Sequence, residues 1–183
     1  MLDVATEIVG EHGFQAVSIQ SVAQRAGVTR PIVYEHFGSL HGLLEAVVKR
    51  EMSRAMEQLA ATRLPDLSDG DPVALMLGSL RAYLAAVEEH PTTWRLVLMP
   101  AEGAPETLRK RIVRGRAEVL QSLTEAVRPG SLPVEASEDP ELTARILSAM
   151  ADEYARLVLA DPVRFPPARL LEHARWWLRQ AAR

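Results

Sequence analysis

The chain contains no cysteine among its 183 residues, and it has only three residues each of Phe, Trp and Tyr. Without cysteine there is no disulfide framework, no thiolate metal site and no thiol nucleophile. No apolar run approaches the roughly 18 residues that a membrane-spanning helix needs, and no basic segment followed by an apolar run opens the sequence. We therefore expect a cytoplasmic protein that does not associate with membranes.

Sequence patterns of known catalytic sites are missing as well. The five histidines do not show metal-ligand spacing such as H-E-x-x-H. There is no G-x-S-x-G elbow, phosphate-binding loop or G-x-G-x-x-G fingerprint. The acidic residues are spread at spacings that suit solvated pairs on helix surfaces. These absences predict a protein that is not an enzyme and that binds no metal or cofactor.

The charge balance limits how the chain can bind nucleic acid. Its formal net charge is −3, and 48% of its residues are hydrophobic. A chain of this size and composition can form one or two domains with a real core. A negative net charge argues against strong non-specific DNA binding, so any affinity for DNA must come from local placement of cations and N–H donors.

Apolar residues recur at helical spacing along the whole chain, and alternating β-branched runs are absent. The sequence therefore predicts an all-α protein of about nine helices. After a first helix that ends at Gly13 and a two-helix unit within 18–37, we expect helices over 39–61, 72–89, 91–99, 105–127, 141–160 and 167–183. Pro, Gly, Asp and Ser mark loops at 63–72, 101–105 and 128–140.

Two short helices joined by a tight turn are predicted between Ser18 and Phe37. Ser18 can cap the first of them, and Gly27 suits the left-handed position that ends it. Thr29 can cap the second helix, and Pro31 lies in its first turn, where a missing N–H is harmless. Val28, Ile32, Val33 and Phe37 are expected to face the core. This layout is the helix-turn-helix, whose second helix enters the DNA major groove.

The residues around this unit resemble the DNA-binding domain of the TetR family of transcriptional regulators. The shared features are an apolar first helix with a Gly-aromatic end, then Ser-x-x-x-Val-Ala-x-x-Ala-Gly-Val-Thr from Ser18, then Tyr-x-x-Phe-x-Ser from Tyr34. The resemblance covers about the first third of the chain. It implies a DNA-binding domain at 1–45, with the helix-turn-helix at about 19–38, and a helical ligand-binding and dimerisation domain at 46–183.

The resemblance also implies which side chains meet DNA. The expected contacts are Ser18, Gln20, Thr29, Arg30, Pro31, Ile32, Tyr34 and His36. Arg30 can fork onto a guanine, Gln20 can read an adenine, and Pro31 and Ile32 can pack on thymine methyl groups. Tyr34 and His36 suit phosphate oxygens, which set the register. Thr29 has an equally good role as a helix cap, and Tyr34 as a packing residue.

Two departures from the family pattern concern DNA affinity. Many members carry a phosphate-binding Lys where this chain has Leu40, a contact that His41 replaces in part at best. The chain also begins inside the first helix, without the basic arm that often precedes it. Both departures predict fewer phosphate contacts, and both leave the fold unchanged.

For the larger domain, the resemblance implies a homodimer and a small-molecule cavity. The cavity residues that we predict are mostly apolar, which favours an apolar or aromatic effector: Met76, Leu80, Tyr83, Trp94, Leu98, Ile112, Val113, Glu153 and Tyr154. The last two long helices are apolar on two sides and can form a four-helix bundle between subunits. The predicted interface residues are Ile146, Met150, Leu157, Leu171, Ala174, Trp177 and Leu178.

The sequence thus predicts a homodimeric repressor that binds a pseudo-palindromic operator in double-stranded DNA and that is released by a ligand. Activation, or regulation without a ligand, are alternatives within the same class. An alternative from another class is a helical protein that sequesters small molecules or binds proteins and has lost DNA affinity.

Overall fold

Nine α-helices and one short 3₁₀ turn make up the computed structural model within the residues it describes, which are 1–61, 71–98, 105–127 and 139–181. In chain order they are α1 (Leu2–His12), the 3₁₀ turn (Phe14–Ala16), α2 (Ile19–Ala26), α3 (Arg30–Phe37), α4 (Leu40–Ala61), α5 (Pro72–Glu89), α6 (Pro91–Leu98), α7 (Glu106–Ala126), α8 (Pro140–Ala160) and α9 (Pro167–Ala181). These ranges contain no strand, so the prediction of an all-α protein is confirmed.

Local capping chemistry explains where several helices begin and end. The Ser18 hydroxyl accepts a hydrogen bond from the backbone N–H of Ser21, and the Ser21 hydroxyl accepts in return from the N–H of Ser18. Gly27 ends α2 with φ of 66°, a left-handed conformation that glycine adopts without a steric penalty. Asp71 caps α5 through a 3.0 Å hydrogen bond from the N–H of Val73.

The helices fall into two compact units. The first comprises Met1–Met56 and Pro91–Arg114, and the second comprises Glu57–His90 and Gly115–Arg183. The predicted boundary after residue 45 does not coincide with this division, because α6 and the first part of α7 pack with the N-terminal helices. α4 and α7 therefore each contribute residues to both units.

In the first unit, α1 packs against α2, the 3₁₀ turn and α6. Its core includes Ala5, Val22, Val33, Leu43 and Trp94, each of which is at most 1% exposed. α1 and α6 approach closely, since a Cβ added at Gly10 would lie 3.1 Å from Cγ2 of Thr92. The first half of α6 is thus part of the same core as the helix-turn-helix.

In the second unit, α5 packs against both α8 and α9, and α8 also contacts α9. The shared core is built from Leu84, Val87, Ala155 and Ala174, none of which is exposed. Among the described residues, no helix is both long enough and apolar enough to cross a membrane. Of the loops predicted at 63–72, 101–105 and 128–140, residues 63–70, 101–104 and 128–138 lie outside the described residues.

Candidate nucleic-acid interface

α2 and α3 form a helix-turn-helix whose turn runs from Gly27 to Thr29. The backbone N–H of Val28 donates to the carbonyl of Ala23 at 3.0 Å, which closes the end of α2. Ala23 is 3% exposed and Val33 is fully buried, so a small and a branched side chain fill the core beside the turn. The positions of these helices agree with those predicted from sequence.

α3 presents nearly its whole length to solvent. Of its eight residues, only Val33 is buried, and Phe37, one turn later, is half-buried. The predicted DNA contacts on this helix are all exposed, with Ile32 at 37% and Tyr34 at 46%; the others are Arg30, Pro31 and His36. Ile32 therefore does not face the core as predicted. A helix held by one face leaves the other free for a partner.

Thr29 precedes α3, but its side chain does not cap the helix. An N-cap side chain bonds to the backbone N–H of the second or third helical residue. Here the second residue is Pro31, which has no N–H, and the N–H of Ile32 donates to the Thr29 carbonyl at 3.1 Å instead. The Thr29 hydroxyl is exposed, so the capping role weighed for it is lost and a role in contacting DNA remains.

Ser18 and Gln20 lie at the start of α2 and are both exposed. The Ser18 hydroxyl accepts from the N–H of Ser21 and donates to the Ser21 hydroxyl, both at 2.9 Å. Ser18 therefore shapes the start of α2, and any contact it makes with DNA uses its remaining lone pair. Gln20 is the longer of the two side chains and carries both a donor and an acceptor.

The cations near the turn have different roles. Arg25 is bound to α1, with its guanidinium 2.9 Å from Glu11 and 3.6 Å from Glu7. The hydrogen bond with Arg25 lowers the pKa of Glu11 and raises that of Arg25. Arg30, by contrast, is exposed and makes no ion pair with any described residue. Arg30 is thus the cation that α3 offers to a partner.

The start of α4 carries the two residues on which the prediction of fewer phosphate contacts depends. Leu40 is 37% exposed and has no polar group. His41, the predicted partial replacement for a lysine, lies 3.5 Å from the carboxylate of Glu45 on the same helix. A neighbouring carboxylate competes with phosphate for the imidazole, which limits this replacement.

A buried polar network, which was not predicted from the sequence, joins α4 to α1 and α6 within the first unit. Glu51 of α4 is 1% exposed, although the acidic residues were expected on solvated surfaces. Its carboxylate accepts from Thr93 of α6 at 2.5 Å, from Arg50 at 2.8 Å and from Arg54 at 3.2 Å. Arg50 also donates to Thr6 of α1 at 3.0 Å. This Glu51 network ties α1, α4 and α6 together.

Most of the predicted cavity residues are buried, but they do not all belong to one unit. Trp94, Leu98, Ile112 and Val113 lie in the first unit, and Met76, Leu80, Tyr83, Glu153 and Tyr154 lie in the second. Val113 is 69% exposed, so it faces solvent and not the interior. Glu153 is also exposed, and its carboxylate accepts a hydrogen bond from Arg156 at 3.2 Å, as expected for a surface carboxylate.

Two tyrosines of the predicted cavity carry polar partners inside the second unit. Tyr83 donates to Asp152, and burial, followed by the charge of Asp152, raises the pKa of Tyr83. The Tyr154 hydroxyl lies 2.6 Å from Nδ1 of His173, and burial raises the pKa of Tyr154. Asp152 was not predicted; its partners Tyr83 and Arg116 lie on other helices, so its environment was not readable from local sequence.

The predicted interface residues divide into two groups. Leu171, Ala174 and Leu178 are buried by their own unit, Met150, Leu157 and Trp177 are half-buried, and Ile146 is 47% exposed. Two further apolar side chains are more exposed than any of these: Leu142 at 54%, one turn before Ile146, and Trp176 at 58%. The large exposed apolar residues in the described parts of α8 and α9 are therefore Leu142, Ile146 and Trp176.

Comparison with known proteins gives consistent matches. Residues 1–47 match the family described as "Bacterial regulatory proteins, tetR family". The HTH-type transcriptional regulatory protein RaaS of Mycobacterium tuberculosis is 27% identical over 146 residues, which are 80% of this chain and 63% of that protein. The HTH-type transcriptional activator FasR of Mycolicibacterium smegmatis is 26% identical over 97 residues, 53% of this chain and 43% of that protein. The chain thus spans under two thirds of the length of these relatives.

A TetR-like transcriptional regulator from Rhodococcus sp. RHA1 has the same fold, with a TM-score of 0.78 and 21% identity over 100% of this chain and 94% of that one. The all-α fold and the exposed second helix of the two-helix unit define a helix-turn-helix fold. Residues 1–47 are thus similar to the DNA-binding domain of the TetR family, and the chain as a whole has the fold of a TetR-like protein. Its relatives are transcriptional regulators and not enzymes, which agrees with the expectation drawn from the missing catalytic patterns.

Proposed function

We propose that this protein is a homodimeric transcriptional repressor whose two α3 helices enter successive major grooves of a pseudo-palindromic operator. The observation that carries the proposal is the exposure of α3, which is anchored by Val33 and leaves Arg30, Tyr34 and His36 on the surface. Successive major grooves on one side of DNA are about 34–36 Å apart, so a dimer is needed to reach both. Such a regulator acts in the cytoplasm, where the bacterial chromosome lies.

Each exposed side chain has a role that matches its chemistry. Arg30 reads a guanine edge with its guanidinium, and Gln20 reads an adenine. Pro31 and Ile32 pack against thymine methyl groups. Thr29, Tyr34 and His36, together with Ser18, bind phosphate oxygens and so set the position of α3 in the groove.

Subunits associate through the outer faces of α8 and α9. Leu142 and Ile146 lie one turn apart on α8. Together they form an exposed apolar surface, which favours contact with a partner. Trp176 adds a large aromatic group of the kind enriched in interfaces. Substituting Ile146 by Glu would place a charge in this interface and should convert the dimer to a monomer in sedimentation velocity. Val163→Glu, at a position that is 91% exposed outside both helices, is the matched control and should remain dimeric.

A small apolar or aromatic ligand, bound among residues of α5 such as Met76, Leu80 and Tyr83, releases the protein from DNA by favouring a conformer that fits the operator poorly. Such control requires different ligand affinities for the two conformers. The buried link from α6 to α1 and α4 through Thr93 and Glu51 supports this proposal, since it couples α6 to the helix-turn-helix within one unit.

The first test is capture of sheared genomic DNA from the source organism by the full-length immobilised protein, followed by sequencing. Enrichment of one or a few short pseudo-palindromes is expected. Arg30→Ala should then cost about 1–3 kcal/mol of binding free energy on the enriched duplex and relax specificity at one base pair. Arg145→Ala, which removes a cation paired with Glu141 in the second unit, is the matched control. Equal losses for Arg30→Ala on enriched and scrambled duplexes would contradict its role.

A second function is a small-molecule-sequestering or protein-interaction dimer without DNA affinity. It is favoured by the exposed Leu40 and by the pairing of His41 with Glu45 at the start of α4. Capture of no DNA above background by the full-length protein would favour this function. The activator alternative has support in the name of one relative, FasR, and the operator position relative to the promoter decides between repression and activation.

A further inference from the structure

The sequence places an unusual concentration of positive charge at the start of α7. Between Glu106 and Arg114 there are four cations, Arg109, Lys110, Arg111 and Arg114, and one carboxylate. Lys110 is paired with Glu106 at 2.9 Å. The other three face solvent in a chain whose net charge is −3. The DNA-binding surface does not include this helix, so the function proposed above leaves this charge unexplained.

A cleft of about 300 Å³ lies between this part of α7 and α4, within the first unit. α4 contributes Gly42, Glu45, Ala46, Val48 and Lys49, and α7 contributes Thr107 and Arg111. Gly42, Ala46 and Lys49 recur at helical spacing along one face, as Thr107 and Arg111 do on α7. The small residues leave the space open, and its volume is at the lower end of the range for small-molecule sites.

The polar groups that line this cleft favour an anion. Lys49 and Arg111 are exposed, and neither makes an ion pair with a described residue. The hydroxyl oxygen of Thr107 is buried and has no hydrogen-bond partner in the described part of the chain. The opposing charge is Glu45, which lies 3.5 Å from His41. Two cations thus face one carboxylate, beside a hydroxyl group that lacks a partner.

We propose that this cleft binds a small organic anion through a phosphate or carboxylate group. Lys49 and Arg111 supply the charged hydrogen bonds, and Thr107 turns about its Cα–Cβ bond to donate its hydroxyl to the same group. The apolar part of the molecule rests on Ala46 and Val48. Because α4 follows the recognition helix α3 directly, a bound anion also lowers operator affinity; this regulatory effect rests on the function proposed above, whereas the binding does not.

The test is calorimetric titration of the full chain, without DNA, with inorganic phosphate and separately with benzoate. Binding of either probe is expected, and the stronger one identifies the group that the site prefers. Lys49→Gln and Arg111→Gln should each weaken the affinity for the preferred probe about tenfold, as expected for a charge-assisted hydrogen bond. Arg109→Gln, two positions before Arg111, is the matched control and should change it by less than about twofold.

Thr107→Val separates a binding role from a structural one. Removing an unpartnered buried hydroxyl should leave the melting temperature of the free protein unchanged or raised. The same change should weaken anion binding about fivefold, in line with one lost hydrogen bond. A lower melting temperature with unchanged anion affinity would assign Thr107 to the fold and overturn its role here.

Binding of neither probe, or equal weakening by Arg109→Gln and Arg111→Gln, would overturn the site. If the anion binds and the genomic capture retains no DNA, the repressor function fails and the site stands. If DNA is retained and no anion binds, the anion site fails and the DNA-binding function stands. Where both bind, operator affinity measured with and without the preferred probe tests the regulatory effect.

Discussion

Two carboxylates, Glu51 in the first unit and Asp152 in the second, differ in how deeply they are buried and in how close their charged partners lie. Glu51 in the first unit is 1% exposed and accepts hydrogen bonds from Thr93, Arg50 and Arg54 at 2.5–3.2 Å. Asp152 in the second unit has a side chain that is 24% exposed, and the guanidinium groups of Arg116 and Arg156 stand 3.5 and 3.8 Å away. The more deeply buried group has the closer partners.

The balance at Asp152 is different because its two arginine partners are more distant than those of Glu51. Burial raises the pKa of Asp152, and the two arginines and the Tyr83 hydroxyl offset this only in part. Arg116 is 48% exposed, so water screens its attraction. Glu51 is thus held by close donors from two helices, whereas at Asp152 burial outweighs the attraction of its polar partners and raises the pKa. Three predictions test this contrast.

The largest effect is expected from Glu51→Ala. The change removes the acceptor of Thr93 and one of the acceptors of Arg50 inside the core of α1, α4 and α6. We expect the free energy of unfolding to fall by about 3 kcal/mol, the lower end of the range for breaking a buried ion pair, since Arg50 still reaches water. Urea unfolding followed by circular dichroism measures this.

Glu45→Ala on the same helix is the control for that experiment. Glu45 has a side chain that is 49% exposed and pairs with His41 at 3.5 Å. Its loss should cost less than about 0.5 kcal/mol. Similar losses for Glu45→Ala and Glu51→Ala would remove the distinction between the two sites on α4.

A smaller effect is expected from Thr93→Val, which keeps the shape of the side chain and removes the donor at 2.5 Å from Glu51. A buried carboxylate oxygen then lacks one hydrogen bond, which costs about 1–3 kcal/mol of unfolding free energy. Thr92→Val is the control, because that hydroxyl is not part of the Glu51 network. Combining Thr93→Val with Glu51→Ala should cost less than the sum of the two, and strict additivity would show that they act separately.

The smallest effect is expected from Asp152→Asn at neutral pH. The lost attraction to Arg116 and Arg156 and the removed cost of burying a charge oppose each other, so the net change should stay within about 1 kcal/mol. The pH dependence is more informative. Because the folded-state pKa of Asp152 is raised, its stabilising contribution is full below the unfolded pKa and declines as pH rises through the folded value.

Asparagine has no such titration. The stability of Asp152→Asn relative to the natural protein should therefore increase from about pH 3.5 towards neutral pH. Urea unfolding of both proteins across this range measures the difference. A difference that stays constant, or that decreases with pH, would show that burial does not govern this carboxyl group.

The parts of the fold that were predictable from sequence depend on local interactions. The caps at Ser18 and Asp71 join residues two or three positions apart, and the conformation of Gly27 depends on its own backbone. These signals located the helix-turn-helix and most helix ends. The exposure of α3 also follows from a local pattern, since Val33 and Phe37 lie one turn apart.

The remaining features depend on contacts between distant residues. Thr93 is 42 positions from Glu51, so nothing in the sequence near either one indicates a buried pair. Trp176 and Trp177 are neighbours whose side chains point about 100° apart on a helix, so the sequence pattern alone does not indicate which of the two is the more exposed. At Thr29 the determining feature is local, because Pro31 removes an N–H that a side-chain cap would use.

The three tryptophans have a consequence for optical measurements. Trp94 is 1% exposed in the first unit, Trp177 is half-buried and Trp176 is 58% exposed in the second. Indole fluorescence shifts to shorter wavelength when the ring leaves water, so Trp176 dominates the long-wavelength part of the emission. Subunit association through α9 would shift that part alone, while Trp94 reports on the core around α6. The natural chain therefore carries separate, label-free fluorescent reporters for its two units.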